Sequence, residues 1–172
     1  MAHPAPALIH MAKKKIWRLS KNTAENAKLV LPPLAVEFFQ AGRKAVAEEA
    51  GPDRLHPLRL KTKRFRYTLE LFKPCYGAGL ERRLGALKQI QDYLGDISDY
   101  QTTCQLLERL PVRGSAQETA FLKFLHNRSA RRAADFRKHW KETFDRAGQQ
   151  RWWTDYLSRF AGRGRRTRRS PR

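Results

Sequence analysis

Apolar side chains recur every three or four positions along most of this chain. Leu34, Phe38, Ala41 and Ala45 form one run, and Leu58, Phe65, Leu69 and Phe72 form the next. That spacing is the helical period, and no stretch alternates in the manner of a strand. Ser20 or Thr23 is expected to cap a first helix, interrupted at Pro32 and Pro33, resuming to about Glu49 and ended by Gly51 and Pro52. Asp53 then caps a second helix, with Pro57 in or near the first turn, where its missing N–H costs little. This helix runs to Lys73 and stops before Pro74.

After a loop at Gly77 and Gly79, a third helix is expected from Leu80 to Leu94, with Leu80, Leu84, Leu87, Gln91 and Leu94 on one face. Gly95 is read as its terminator. A shorter fourth helix, from about Asp99 to Arg109, would be capped by Asp96, Ser98 or Asp99 and end at Pro111. Ser115 with Glu118 makes a capping box for a long fifth helix reaching about Phe144. Gly148 then separates a last segment, Gln149 to Phe160. The expected fold is all-α, an antiparallel bundle of five to six helices.

Length and charge sharpen this picture. The chain has 172 residues, one domain's worth, and its 41% hydrophobic content is enough to build a core. Residues 1–19 read as a flexible leader, 20–161 as the helical domain, and 162–172 as a disordered tail carrying six arginines and nothing apolar to pack. Lys and Arg number 36 against 16 Asp and Glu, a formal charge of +20. Such an excess points to a polyanionic partner. Cys75 and Cys104 lack metal-type spacing and read as reduced thiols of a cytoplasmic protein. No apolar run is long enough to span a membrane, so no membrane association is expected.

The charge is not spread evenly. At about 100° per residue, His56, Arg59, Lys63, Arg66 and Tyr67 share one face of the second helix, with Glu70 a turn further on. Leu58, Phe65, Leu69 and Phe72 take the opposite face, and Lys61 and Arg64 fall outside both. The stripe extends over roughly 16 Å at 1.5 Å per residue, a length that suits an extended anion better than a single phosphate. The ordinary reading of such a face is simple solvation. Against it stand the near absence of balancing acids and the repetition of the pattern on the fifth helix. There Arg128, Arg131, Arg132, Lys138 and His139 cluster beside an apolar arc of Leu122, Leu125, Ala133, Trp140 and Phe144, with Asp135 among the cations. Two such helices packed through their apolar arcs would align both stripes along one groove, with Lys88 at the edge of the third helix adding to it.

Enzymatic readings find little support in the sequence. His56 has no nucleophile placed with it, there is no phosphate-cradling glycine loop, and the five histidines are scattered without metal-ligand spacing. Neither a cofactor nor a catalytic residue is expected. Trp152 and Trp153 read as packing residues rather than base-stacking platforms.

The run Leu55-His56-Pro57-Leu58-Arg59-Leu60-Lys61-Thr62-Lys63-Arg64-Phe65-Arg66-Tyr67 resembles the hallmark of the CHAD family, the conserved-histidine α-helical domains. Leu87 to Asp99 resembles that family's second motif, and the basic fifth helix ending in Trp140 resembles its closing helix, so the likeness spans about residues 30 to 144. It implies a helical domain whose basic groove binds inorganic polyphosphate without turning it over, in the cytoplasm and on polyphosphate granules. The groove residues it implies are His56, Arg59, Lys63, Arg66, Tyr67 and Lys88, joined by Arg64 from within the motif and by Arg128, Arg131 and Arg132 from the fifth helix. Family members usually carry two related bundles about a pseudo-twofold axis, whereas this chain shows the motif once. It therefore resembles one half of that fold, and the chain is expected either to carry a half-site or to pair with a second copy that rebuilds the groove. The competing expectation is a general polyanion or nucleic-acid binder aided by the Arg-rich tail, since nonspecific nucleic-acid binding accompanies charge of this size.

Overall fold

The structure, a computed structural model, describes Arg18, residues 20–109 and residues 115–162. The expected leader and Arg-rich tail therefore lie almost wholly outside the described residues. The described residues form six α-helices: α1 Thr23–Ala47, α2 His56–Leu71, α3 Lys73–Tyr76, α4 Gly79–Leu107, α5 Ala116–His139 and α6 Gln149–Arg159. A 3-10 turn, Pro52–Arg54, precedes α2, and a π-helical turn, Trp140–Phe144, closes α5. No strand is present among the described residues.

Several boundaries differ from the sequence expectation. Asn22, not Ser20 or Thr23, caps α1, its side chain accepting from the Glu25 N–H at 3.0 Å while Glu25 accepts from the Asn22 N–H. The helix runs unbroken through Pro32 and Pro33. The carbonyls that lose their donors there belong to Lys28 and Leu29, both on the exposed face where water can serve them. The second difference is that the third and fourth helices are one. Gly95 lies inside α4 in ordinary helical conformation, and Thr102 and Thr103 hydroxyls donate to the Ser98 and Asp99 carbonyls within the same helix. A mid-helix glycine costs about 1 kcal/mol, less than the roughly 1.5–3 kcal/mol gained by burying each of the flanking Leu94 and Ile97. Third, Asp53 does not cap α2, whose N-cap residue Leu55 supplies no side-chain cap. Its carboxylate accepts from Gln101 on α4 instead.

The second helix also ends at Leu71 rather than Lys73, and Pro74 opens the short α3 instead of stopping a helix ahead of it; other local signals hold. Pro57 sits in the first turn of α2, Ser115 caps α5 by accepting from the Glu118 N–H at 3.0 Å, and Gly148 takes the left-handed conformation that starts α6.

One continuous core joins the helices. Trp140 lies at its centre, its ring against Phe38, Phe39, Phe136 and Phe144 at centroid distances of 4.9 to 6.1 Å. Gly42 of α1 is required there, because a Cβ would come within 2.0 Å of the Trp140 ring. Phe65 brings α2 into the cluster against Phe38 and Trp153. Asp145, just after the π turn, receives the Arg43 guanidinium in a two-point contact of 2.7 and 2.8 Å, tying the end of α5 to α1.

Candidate functional site

The α2–α4 pair sets the first half of the site. Three contacts fix an antiparallel register between them: Asp53 with Gln101 before α2 begins, Arg66 with Gln91 midway, and Lys73 with Glu81 at the far end. Leu58, Thr62, Phe65 and Leu69 are buried, so the stripe of His56, Arg59, Lys63, Arg66 and Tyr67 lies away from the core, and Arg66 at its edge reaches α4 through Gln91. Arg66 is the anchored member. Its Nη1 donates to Gln91 Oε1 at 2.8 Å, its Nη2 pairs with Glu70 at 2.8 Å, and its guanidinium lies 5.9 Å from the Tyr67 ring centre. Arg59 and Lys63 are half-buried, and no described acid pairs with either head. His56 and Tyr67 are exposed. Arg64 stands two residues from Arg66, about 160° round the helix, and so faces away from α4.

The second half lies across α4. Helix α5 runs antiparallel to it, with Arg132 Nη2 on Asp96 at 2.7 Å and the same guanidinium 4.2 Å over Tyr93. Buried Arg132 Nε has no hydrogen-bond partner among the described residues. Arg128, Arg131 and Arg132 line one hollow with Asp96, Tyr100 and Asp135. His139 packs on Tyr93 at 5.3 Å, and burial pulls its pKa below the usual histidine value.

Both stripes are thus real, but they do not meet through their apolar arcs as expected. The principal partner of each is α4, which lies between them. On a helical wheel the outer face of α4 between the two rows carries Lys88, Asp92 and Asp99, all exposed, with Gly95 beside them. Nothing in the structure occupies the space over Gly95 where a Cβ would stand. Lys88 extends along this face and pairs with Asp92 at 2.7 Å. The result is a broad basic surface with two cationic edges and a mixed floor.

Three of its cations, Arg66, Lys88 and Arg132, are each held by one partly exposed carboxylate. Such pairs are worth about 0–1 kcal/mol each. A densely charged polyanion can displace them at small cost, while until then they hold the side chains in place. Among the described residues no group of three or more His, Cys, Asp and Glu is placed to hold a metal ion, and no helix is long and apolar enough to cross a membrane.

Sequence reasoning missed several contributors. Gln91, which the spacing puts on the apolar face, orients Arg66; its polarity within an otherwise leucine-lined face is the signal. Asp96, one of three residues expected to cap a fourth helix, instead holds Arg132. The buried Arg83 had no signal at all. It is only 4% exposed, lies 3.4 Å over Trp152 and 3.6 Å over Tyr156, and donates to the Trp152 carbonyl at 3.1 Å. Trp153 is buried as expected, whereas Trp152 shields this guanidinium from solvent.

A family model described as CHAD domain matches residues 5–108. That stretch covers α1 to α4 and both motifs, and ends before α5, so the three arginines of α5 stand on their geometry alone. No curated protein and no solved structure matches the chain.

Proposed function

Because this chain belongs to the CHAD family, we propose that it binds inorganic polyphosphate, without hydrolysing it, across the basic surface flanking α4. The observation that carries this reading is the row of Arg59, Lys63 and Arg66 on α2, the first two without an acid partner among the described residues and the third pre-oriented by Gln91 and Glu70. Arg presents a planar fork to phosphate oxygens and Lys a point charge, and successive residues of the stripe would meet successive phosphates. Lys88 would bind from the floor. Arg128, Arg131 and Arg132 would take the far side of a long chain or a second strand, with His56 and Tyr67 at the margins. Arg64 would add long-range field rather than contact.

The catalytic alternative would need carboxylates converging with a metal; among the described residues no such group is placed to hold one, and Glu70, Asp92 and Asp96 are each engaged by a cation. A second chain bound to the same polyphosphate would complete a two-sided groove, the anion offsetting the like charge of the partners; sedimentation with and without polyphosphate reads this directly. Recruitment to polyphosphate granules would follow from binding itself.

The decisive experiment is a titration with long-chain polyphosphate at about physiological salt. Replacing Arg59 and Arg66 together by Ala should weaken binding at least about a hundredfold, from two charge-assisted contacts, and should flatten the salt dependence by roughly two phosphate contacts. No phosphate should be released from tripolyphosphate with Mg2+ in a colorimetric assay. Unchanged affinity in a double variant that keeps its helical signal would defeat the reading.

A further inference from the structure

Polyphosphate leaves one exposed feature without a use. In the N-terminal half of α5, Phe121 and Phe124 are 46% and 51% exposed. Their rings lie nearly parallel, 11° apart, with centroids separated by 6.3 Å. They make one flat aromatic surface rather than two scattered rings. Leu106, at the adjoining end of α4, is 57% exposed. Phe121, Phe124, Arg128 and Arg132 recur at three- and four-residue spacing, so the aromatic surface continues directly into the α5 cations. The Arg128 guanidinium already lies 5.4 Å from the Phe124 ring centre.

An anion made only of phosphate has nothing to place on two phenyl rings. A single-stranded nucleic acid does. Its bases offer flat π-faces at any sequence, and its backbone offers the phosphates that Arg128, Arg131 and Arg132 can hold. Aromatic platforms beside a cationic track are how non-sequence-specific single-strand binders work. Self-association of this patch is disfavoured, because a second copy would bring the same three arginines against themselves in a chain of net charge +20.

We propose that the outer face of α5 is a binding site for single-stranded nucleic acid, with bases stacked on Phe121 and Phe124 and the backbone held by Arg128, Arg131 and Arg132. The site lies on α5 and does not depend on the polyphosphate reading of α2. It also differs from tail-driven binding, which engages backbone charge alone and is indifferent to bases.

The test uses the full chain and three probes: an oligothymidylate of about 15 nucleotides, an abasic strand of the same length and charge, and long-chain polyphosphate. The intact protein should prefer the oligothymidylate over the abasic strand by at least about tenfold. The double variant Phe121→Ala/Phe124→Ala, and separately Phe124→Leu, should shrink that preference while polyphosphate affinity stays unchanged. Equal binding of the two strands, or a preference that survives the double variant, overturns the proposal. A parallel loss of polyphosphate binding also overturns it, by assigning the rings to the fold or to the groove as a whole. So does a dimer mass that the double variant abolishes while strand preference persists, since the patch is then a self-association surface. Failure of polyphosphate to bind at all, with the base preference intact, would sink only the α2 reading.

Discussion

Arg83 illustrates how one residue can be decided by its neighbours alone. On α4 it occupies the face that points into the core, and two aromatic rings of α6 enclose its guanidinium. The Gly79 and Trp152 carbonyls accept from its two terminal nitrogens. Desolvation pulls its pKa down to about 10, yet it stays charged at neutral pH. Its role here is to fasten α4 to α6, and a planar, weakly hydrated cation is the side chain that can do so between rings. Arg83→Lys should therefore fail to rescue. We expect a loss of about 2–3 kcal/mol for either Arg83→Lys or Arg83→Leu, from the desolvated cation–π contacts and the orphaned Trp152 carbonyl, read as a lowered midpoint in chemical denaturation. An Arg83→Lys variant as stable as the parent would contradict this account.

Among the helices, α4 is the organising element. It pairs with α2 through Gln91 and with α5 through Tyr93 and Asp96, so its continuity sets the relation between the two cationic rows. Had it broken at Gly95, the Asp96–Arg132 contact and the Arg66–Gln91 contact would lie on separate bodies. Gly95 has no positive φ and open space where a Cβ would go. Gly95→Ala should thus stabilise the protein by about 1 kcal/mol, raising the melting temperature by roughly 2–4 °C for a domain of this size. A destabilised Gly95→Ala would mean that the helix does break there. The sequence pattern misjudged this element because Gly95 and Asp96-Ile97-Ser98-Asp99 carry every local mark of a helix end. Local marks are worth about 1 kcal/mol each, and the burial of Leu94 and Ile97 outweighs them. The α5 cap at Ser115 was legible because nothing in the tertiary structure opposed it.

For the whole molecule, charge and stability are coupled at the centre of the basic surface. His139 packs on Tyr93, whose ring also contacts Arg132. Burial lowers the His139 pKa from 6.5. A depressed histidine pKa means that the unfolded chain binds the proton more readily. Stability is therefore full above about pH 6.5 and falls as pH drops below it. Thermal melts at pH 7.5 and 5 should show an acid-side loss that His139→Gln diminishes. An identical loss in the variant would place the acid sensitivity elsewhere.

The sequence by itself determined the all-helical class, the cationic face of α2, the Ser115 cap of α5 and the resemblance that the family match upheld. Each of these is written in spacing along one helix, where residues i, i+3 and i+4 must share a face whatever surrounds them. Only the tertiary structure decided that Pro32, Pro33 and Gly95 sit within continuous helices, and that α4 separates the two basic rows. It also decided that Gln91 and Asp96 orient Arg66 and Arg132, and that Phe121 and Phe124 are left uncovered beside Arg128. Those outcomes depend on which faces are buried against which. The balance is struck by contacts between residues 25 to 107 positions apart, which no local pattern records.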